Sequence, residues 1–143
     1  MTTAPKFRFP DVYSRVAVTG QNGSGKTRFG VWLQGTIAQF DKRPYIYIDF
    51  KGDELIGAIH RKQTISLKDI PKHPGLYHLP LFPGQEIALE KWLWGIWERG
   101  NIGIYIDEGY QIPPLSKAYE AILTQGRSLR IPCMTLTQRP VRC

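Results

Sequence analysis

The stretch TGQNGSGKT, residues 19–27, has the residue types needed to hold a chain of phosphates. Gly20, Gly25, Lys26 and Thr27 fit the spacing G-x-x-x-x-G-K-[ST], between an apolar run (14–20) and the helical spacing of Phe29, Leu33 and Ile37. Glycines let successive backbone N–H groups curl around an anion, and a helix starting near Lys26 adds the positive end of its dipole. The binding segment is therefore read as Gly20, Gln21, Asn22, Gly23, Ser24, Gly25, Lys26, Thr27 and Arg28. Lys26 would reach the β- and γ-phosphates, and the Thr27 hydroxyl would bind Mg2+. The plain alternative is a glycine-rich turn. A dinucleotide fingerprint is excluded, because Gly20, Gly23 and Gly25 are spaced G-x-x-G-x-G rather than G-x-G-x-x-G.

A second group of reactive residues closes the apolar run NIGIYIDEG (101–109). Asp107 would hold Mg2+ through its water shell, and Glu108 would polarise an attacking water as general base. The alternative is a strand that ends in an acidic turn. With neither an N-K-x-D guanine reader nor an L-S-G-G-Q signature, the pair favours hydrolysis of ATP over nucleotide binding alone. The run IPCMTLTQRP (131–140) ends on Gln138, whose neutral amide can hydrogen-bond the γ-phosphate or the attacking water and so report loss of the phosphate. An amide that caps its own strand end is the other reading.

These residues need elements to carry them. Strand patterns SRVAVTG, YIYIDF, GLYHLPL, NIGIYIDEG and the 131–140 run alternate with helical spacing at 26–40, at Leu89, Trp92, Leu93 and Ile96, and at 116–125. KGDELIGAIHR predicts a brief helix, and Gly100 stands where a helix end needs a left-handed residue. Alternation of this kind predicts an α/β domain: a parallel sheet with helices on both faces and ligands beyond the carboxyl ends of its strands. Trp92 and Trp97 can share a buried helix face, leaving Trp94 to cover a loop or meet a partner. The chain of 143 residues reads as a single domain with an arm at 1–13.

Net charge is +7, and residues 127–143 carry four arginines and no carboxylate. An anion is expected near that end, the alternative being a solvated basic face. Cys133 and Cys143 form neither a disulfide framework nor a metal-ligand spacing, which suits a reduced, cytoplasmic setting. His60, His73 and His78 have no metal-ligand spacing and read as structural. No apolar run is long enough for a membrane span.

DFKGDEL (49–55), GIYIDEG (103–109) and GRSLRIPCMTLTQRP (126–140) resemble the motifs of the FtsK/HerA superfamily of DNA-pumping P-loop ATPases, and the resemblance runs from Thr19 to Pro140. It implies a RecA-like (ASCE) sheet with the Gln138 strand between the P-loop strand and the acidic strand. It also implies catalytic roles for Lys26, Glu108 and Gln138, with ATP and Mg2+ bound. Arg127, or else Arg130, would serve as a finger for a neighbouring subunit's ATP; a helix-end arginine that satisfies the dipole is the alternative. Asp49 and Lys51 gain a place near the site or else lie in a solvated turn. The implied activity is ATP turnover coupled to translocation, packaging or transfer of double-stranded DNA by a homo-oligomeric ring, a hexamer, encoded by a virus of a bacterial or archaeal host. The alternatives are a filamentous-phage-type assembly or secretion ATPase, a phosphotransferase, and a domain that binds nucleotide without turnover. Residues 61–72 and the basic tail are the available DNA-contacting segments. The family's last C-terminal strand has no counterpart here, so the edge beside the P-loop strand is expected to be uncovered and the chain to be a fragment or truncated product.

Overall fold

The computed structural model describes residues 14–21, 25–50, 52–107, 112–113 and 115–137. In chain order the elements are β1 (Arg15–Thr19), α1 (Lys26–Phe40), β2 (Pro44–Asp49), α2 (Glu54–Gly57), β3 (Gln63–Thr64), β4 (Gly75–Pro80), α3 (Glu86–Arg99), β5 (Gly103–Ile106), α4 (Lys117–Gln125) and β6 (Cys133–Thr137). The strands form one sheet in the order β1-β6-β5-β2-β4-β3, and every pairing is parallel. β6 thus lies between the strand that leads into the glycine-rich loop and the acidic strand, as the resemblance implies.

Both faces of the sheet are covered, which is why its inner strands read as continuous apolar runs. Ile46, Ile48, Ile104, Ile106 and Cys133 pack with Leu89, Trp92, Leu93 and Ile96 of α3 and with Ala118 and Ile122 of α4. The residues between them, Tyr47, Tyr105, Met134 and Leu136, face Leu33 of α1 and Ile56 of α2. α1 comes very close to the sheet at Gly30, where a Cβ would lie 2.8 Å from both the Tyr105 hydroxyl and Leu136 Cδ2. The helix is the expected one, but its apolar stripe is shifted: Leu33 is buried, whereas Phe29 is exposed with its ring beside Trp32.

α3 ends at Gly100, with φ 65°, and a side chain there would meet the Leu129 carbonyl oxygen at 2.6 Å. α4 begins on Ser116, whose hydroxyl accepts from Tyr119 N–H (3.2 Å) and donates to Glu90 of α3; such a cap stabilises a helix by about 1 kcal/mol. The tryptophans of α3 divide as expected. Trp92 is buried and donates to the Asp69 carbonyl (2.8 Å), Trp97 donates to Gln125 (2.9 Å), and Trp94 is exposed, edge-on to Trp97. β3 carries no sequence signal, being two exposed polar residues at the edge of the sheet. No helix among the described residues is long and apolar enough to cross a membrane.

Candidate active site

Parallel pairing brings the carboxyl ends of β1, β6 and β5 side by side. Thr19 is in register with Thr137, and Gly20 N–H donates to the Thr137 carbonyl (3.3 Å). The glycine-rich segment leaves from this edge and turns into α1 through Gly25, whose φ of 83° is left-handed and favours glycine. The N-cap residue of α1 is Gly25, which has no side chain to cap the helix, and a helix N-terminus of this kind suits an anion. Lys26 is buried, Thr27 is half-buried, and Gln21 and Arg28 are exposed on either side. Asn22, Gly23 and Ser24 lie outside the described residues.

The acidic strand meets this helix from below. The Tyr105 hydroxyl is 3.5 Å from the Thr27 carbonyl oxygen, so the end of β5 sits under the first turn of α1. Asp107, two residues on, is 1% exposed and its N–H donates to the Ile48 carbonyl (3.2 Å). Strand alternation carries it to the α1 face that Tyr105 occupies. Burial holds the Tyr105 hydroxyl protonated well above the usual phenol range, and the nearby Asp107 carboxylate adds to the effect, as do Tyr47, Asp53 and Asp49. The Asp107 carboxylate and the Thr27 hydroxyl are hard oxygen donors of the kind that suits Mg2+.

Asp49 is not in a solvated turn. It ends β2 beside β5, is 1% exposed, and its carboxylate accepts from Gly52 N–H, Asp53 N–H and His78 Nε2. Asp53 in turn caps α2 through Leu55 N–H (2.8 Å) and Ile56 N–H (3.2 Å). The sequence carried a signal for this arrangement: Tyr-Ile-Asp occurs at 47–49 and again at 105–107, and β2 and β5 pair with Tyr47 opposite Tyr105 and Ile48 opposite Ile106. Glu108, Gln138 and Lys51 lie outside the described residues.

Arg127 and Arg130 do not join this constellation. They are exposed in the turn between α4 and β6, at the opposite edge of the sheet, where Arg43 donates to the Arg130 carbonyl (2.9 Å). The strand β6 alone puts about 13 Å between that turn and the Thr137 end, at ~3.3 Å rise per residue.

No protein-family model matches the chain. It is 41% identical over 135 residues to the DNA packaging ATPase P9 of Enterobacteria phage PRD1, covering 94% of this chain. Its structure is similar to that of the genome packaging NTPase B204 of Sulfolobus turreted icosahedral virus 2 in complex with AMPPCP, with a TM-score of 0.67 at 18% identity, over 90% of this chain and 66% of that one. The chain shares the α/β fold of that solved genome packaging NTPase. The B204 structure in complex with sulfate superimposes with a TM-score of 0.63 at 21% identity, over 87% of this chain and 63% of that one. The chain spans 59% of the length of its PRD1 relative.

Proposed function

We propose that this chain is the ATP-hydrolysing part of a motor that packages double-stranded DNA into a virus particle in the cytoplasm of a bacterial or archaeal host. The observation that carries the proposal is the 41% identity to the PRD1 packaging ATPase across nearly the whole chain. The meeting of Lys26, Thr27 and Asp107 at one sheet edge supports it. ATP would lie with its phosphates on the backbone of Gly20–Gly25, under the α1 N-terminus, and Lys26 would neutralise the β- and γ-phosphates. Thr27 and Asp107 would hold Mg2+, which when bound supplies charge stabilisation at the phosphoryl oxygens. Glu108 would take the proton from the attacking water, and Gln138 would hydrogen-bond that water or the γ-phosphate.

Arg127 lies before β6, at the opposite end of that strand from Thr137, so in this reading it would act on a neighbouring subunit's nucleotide in a ring, a hexamer. Mixed assemblies test this directly. Arg127→Ala and Lys26→Ala chains, each inactive alone, would regain part of the turnover when combined, because one supplies the finger and the other the phosphate site. The function itself is tested by ATP turnover with and without double-stranded DNA across a salt series, with Glu108→Gln as control. DNA stimulation that fades as salt rises is expected from backbone contacts. Turnover indifferent to DNA at every salt concentration would refute the packaging role.

A further inference from the structure

We infer that His78 is a positioning residue that keeps Asp49 from competing with Asp107 for the cation accompanying the nucleotide. The inference rests on the reading above that Asp107 holds that cation. Asp49 and Asp107 each follow the Ile48–Ile106 pair at the ends of neighbouring strands, and each is 1% exposed. Buried carboxylates on neighbouring strand ends repel one another, and sharing a proton or a cation relieves the repulsion. Asp49 is instead committed within the protein. Its Oδ1 accepts from Gly52 N–H (3.0 Å) and Asp53 N–H (3.1 Å), and its Oδ2 accepts from Asp53 N–H (3.0 Å) and His78 Nε2 (2.9 Å).

A carboxylate offers about four lone-pair sites, and three donors are directed at them here: Gly52 N–H, His78 Nε2, and an Asp53 N–H shared between the two oxygens. The backbone donors belong to the loop after β2, whereas the imidazole comes from β4, on the side of β2 away from β5. Because a carboxylate only accepts, His78 Nε2 carries the proton of this bond. His78 is itself buried and sits on the α1 face, opposite Tyr47 in the β2–β4 register. Losing it would leave Asp49 Oδ2 with spare acceptor capacity beside Asp107, and two carboxylates would then face one cation.

The test is MnCl2 binding to the full chain without nucleotide, followed by electron paramagnetic resonance of the free ion. His78→Leu should bind Mn2+ about tenfold more tightly than wild type, the lower end of the range over which residues behind metal ligands change affinity. Asp49→Asn combined with His78→Leu should cancel the gain, and His78→Gln, which keeps a donor, should bind as wild type does. Unchanged Mn2+ affinity in His78→Leu, or a gain that persists in the double variant, would overturn the inference. Should His78→Leu not fold, Asp49→Asn alone decides: unchanged Mn2+ affinity supports the inference, and weakened affinity shows that Asp49 is itself a ligand and overturns it. Asp107→Asn measured with ADP present separates this from the underlying reading, since undiminished Mn2+–ADP binding there would remove Asp107 as ligand and take the nucleotide site with it.

Discussion

The two faces of the sheet are built from alternate residues of the same strands, yet they do different work. Toward α3 and α4, β2 and β5 present Ile46, Ile48, Ile104 and Ile106, an apolar layer with every side chain buried. Toward α1 they present Tyr47 and Tyr105, then Asp49 and Asp107 at the strand ends, with His78 alongside from β4. A period of two lets one short run supply both a core and a reactive edge. Packing therefore fixes the strand ends, and the polar face uses the position so fixed.

Substitutions within one short run, 104–107, should separate these tasks. The largest effect is expected from Asp107→Asn, which should lower ATP turnover about 100-fold or more with little change in thermal stability, as read by steady-state kinetics and a melting scan. Ile104→Ala, on the other face of the same strand, should cost about 2–5 kcal/mol in urea unfolding while turnover per folded molecule is retained. Equal loss of stability in both variants would dissolve the distinction between the faces.

Alkaline unfolding should sharpen the comparison. Burial pushes the Cys133 thiol up to about 11, partly offset by its contact with Thr135 and by Arg15. Above about pH 9 the unfolded thiol releases its proton while the folded one keeps it. The unfolded state then binds fewer protons, so stability is complete below that pH and falls as pH rises toward 11, by up to about 2–3 kcal/mol. Burial raises the Tyr47 hydroxyl as well, and its loss adds above about pH 10. Cys133→Val should flatten the first part of the curve, and Tyr47→Phe should make the second part shallower while the Tyr105 hydroxyl, also held protonated by burial, keeps part of the slope, as measured by urea midpoints at successive pH values. The smallest effect is expected at Trp94, which is exposed against Trp97. Trp94→Ala should change stability by less than about 1 kcal/mol in the same assay.

Much of this was legible because the relevant signals are local. The glycine spacing before Lys26, the acidic end of 103–107 and the helical spacing of Leu89, Trp92, Leu93 and Ile96 each depend on residues close in sequence, and the structure has the helix from Lys26, the strand leading to Asp107 and α3 where expected. What escaped depends on distant contacts. Asp49 reads as part of a polar turn until β4 brings His78 against it, 29 residues away. Phe29 fits the helical stripe by spacing, yet the close approach at Gly30 turns the buried strip toward Leu33 and Gln34. β3 exists only through its pairing with β4.

Calorimetry of a non-hydrolysable ATP analogue with Mg2+, comparing wild type with Lys26→Ala, tests the nucleotide site most directly. Wild type should bind one analogue per chain, and Lys26→Ala should lose about 100-fold or more in affinity while keeping its melting temperature without nucleotide. Equal affinity in the two proteins would contradict the assignment of the phosphate site to the junction of β1 and α1.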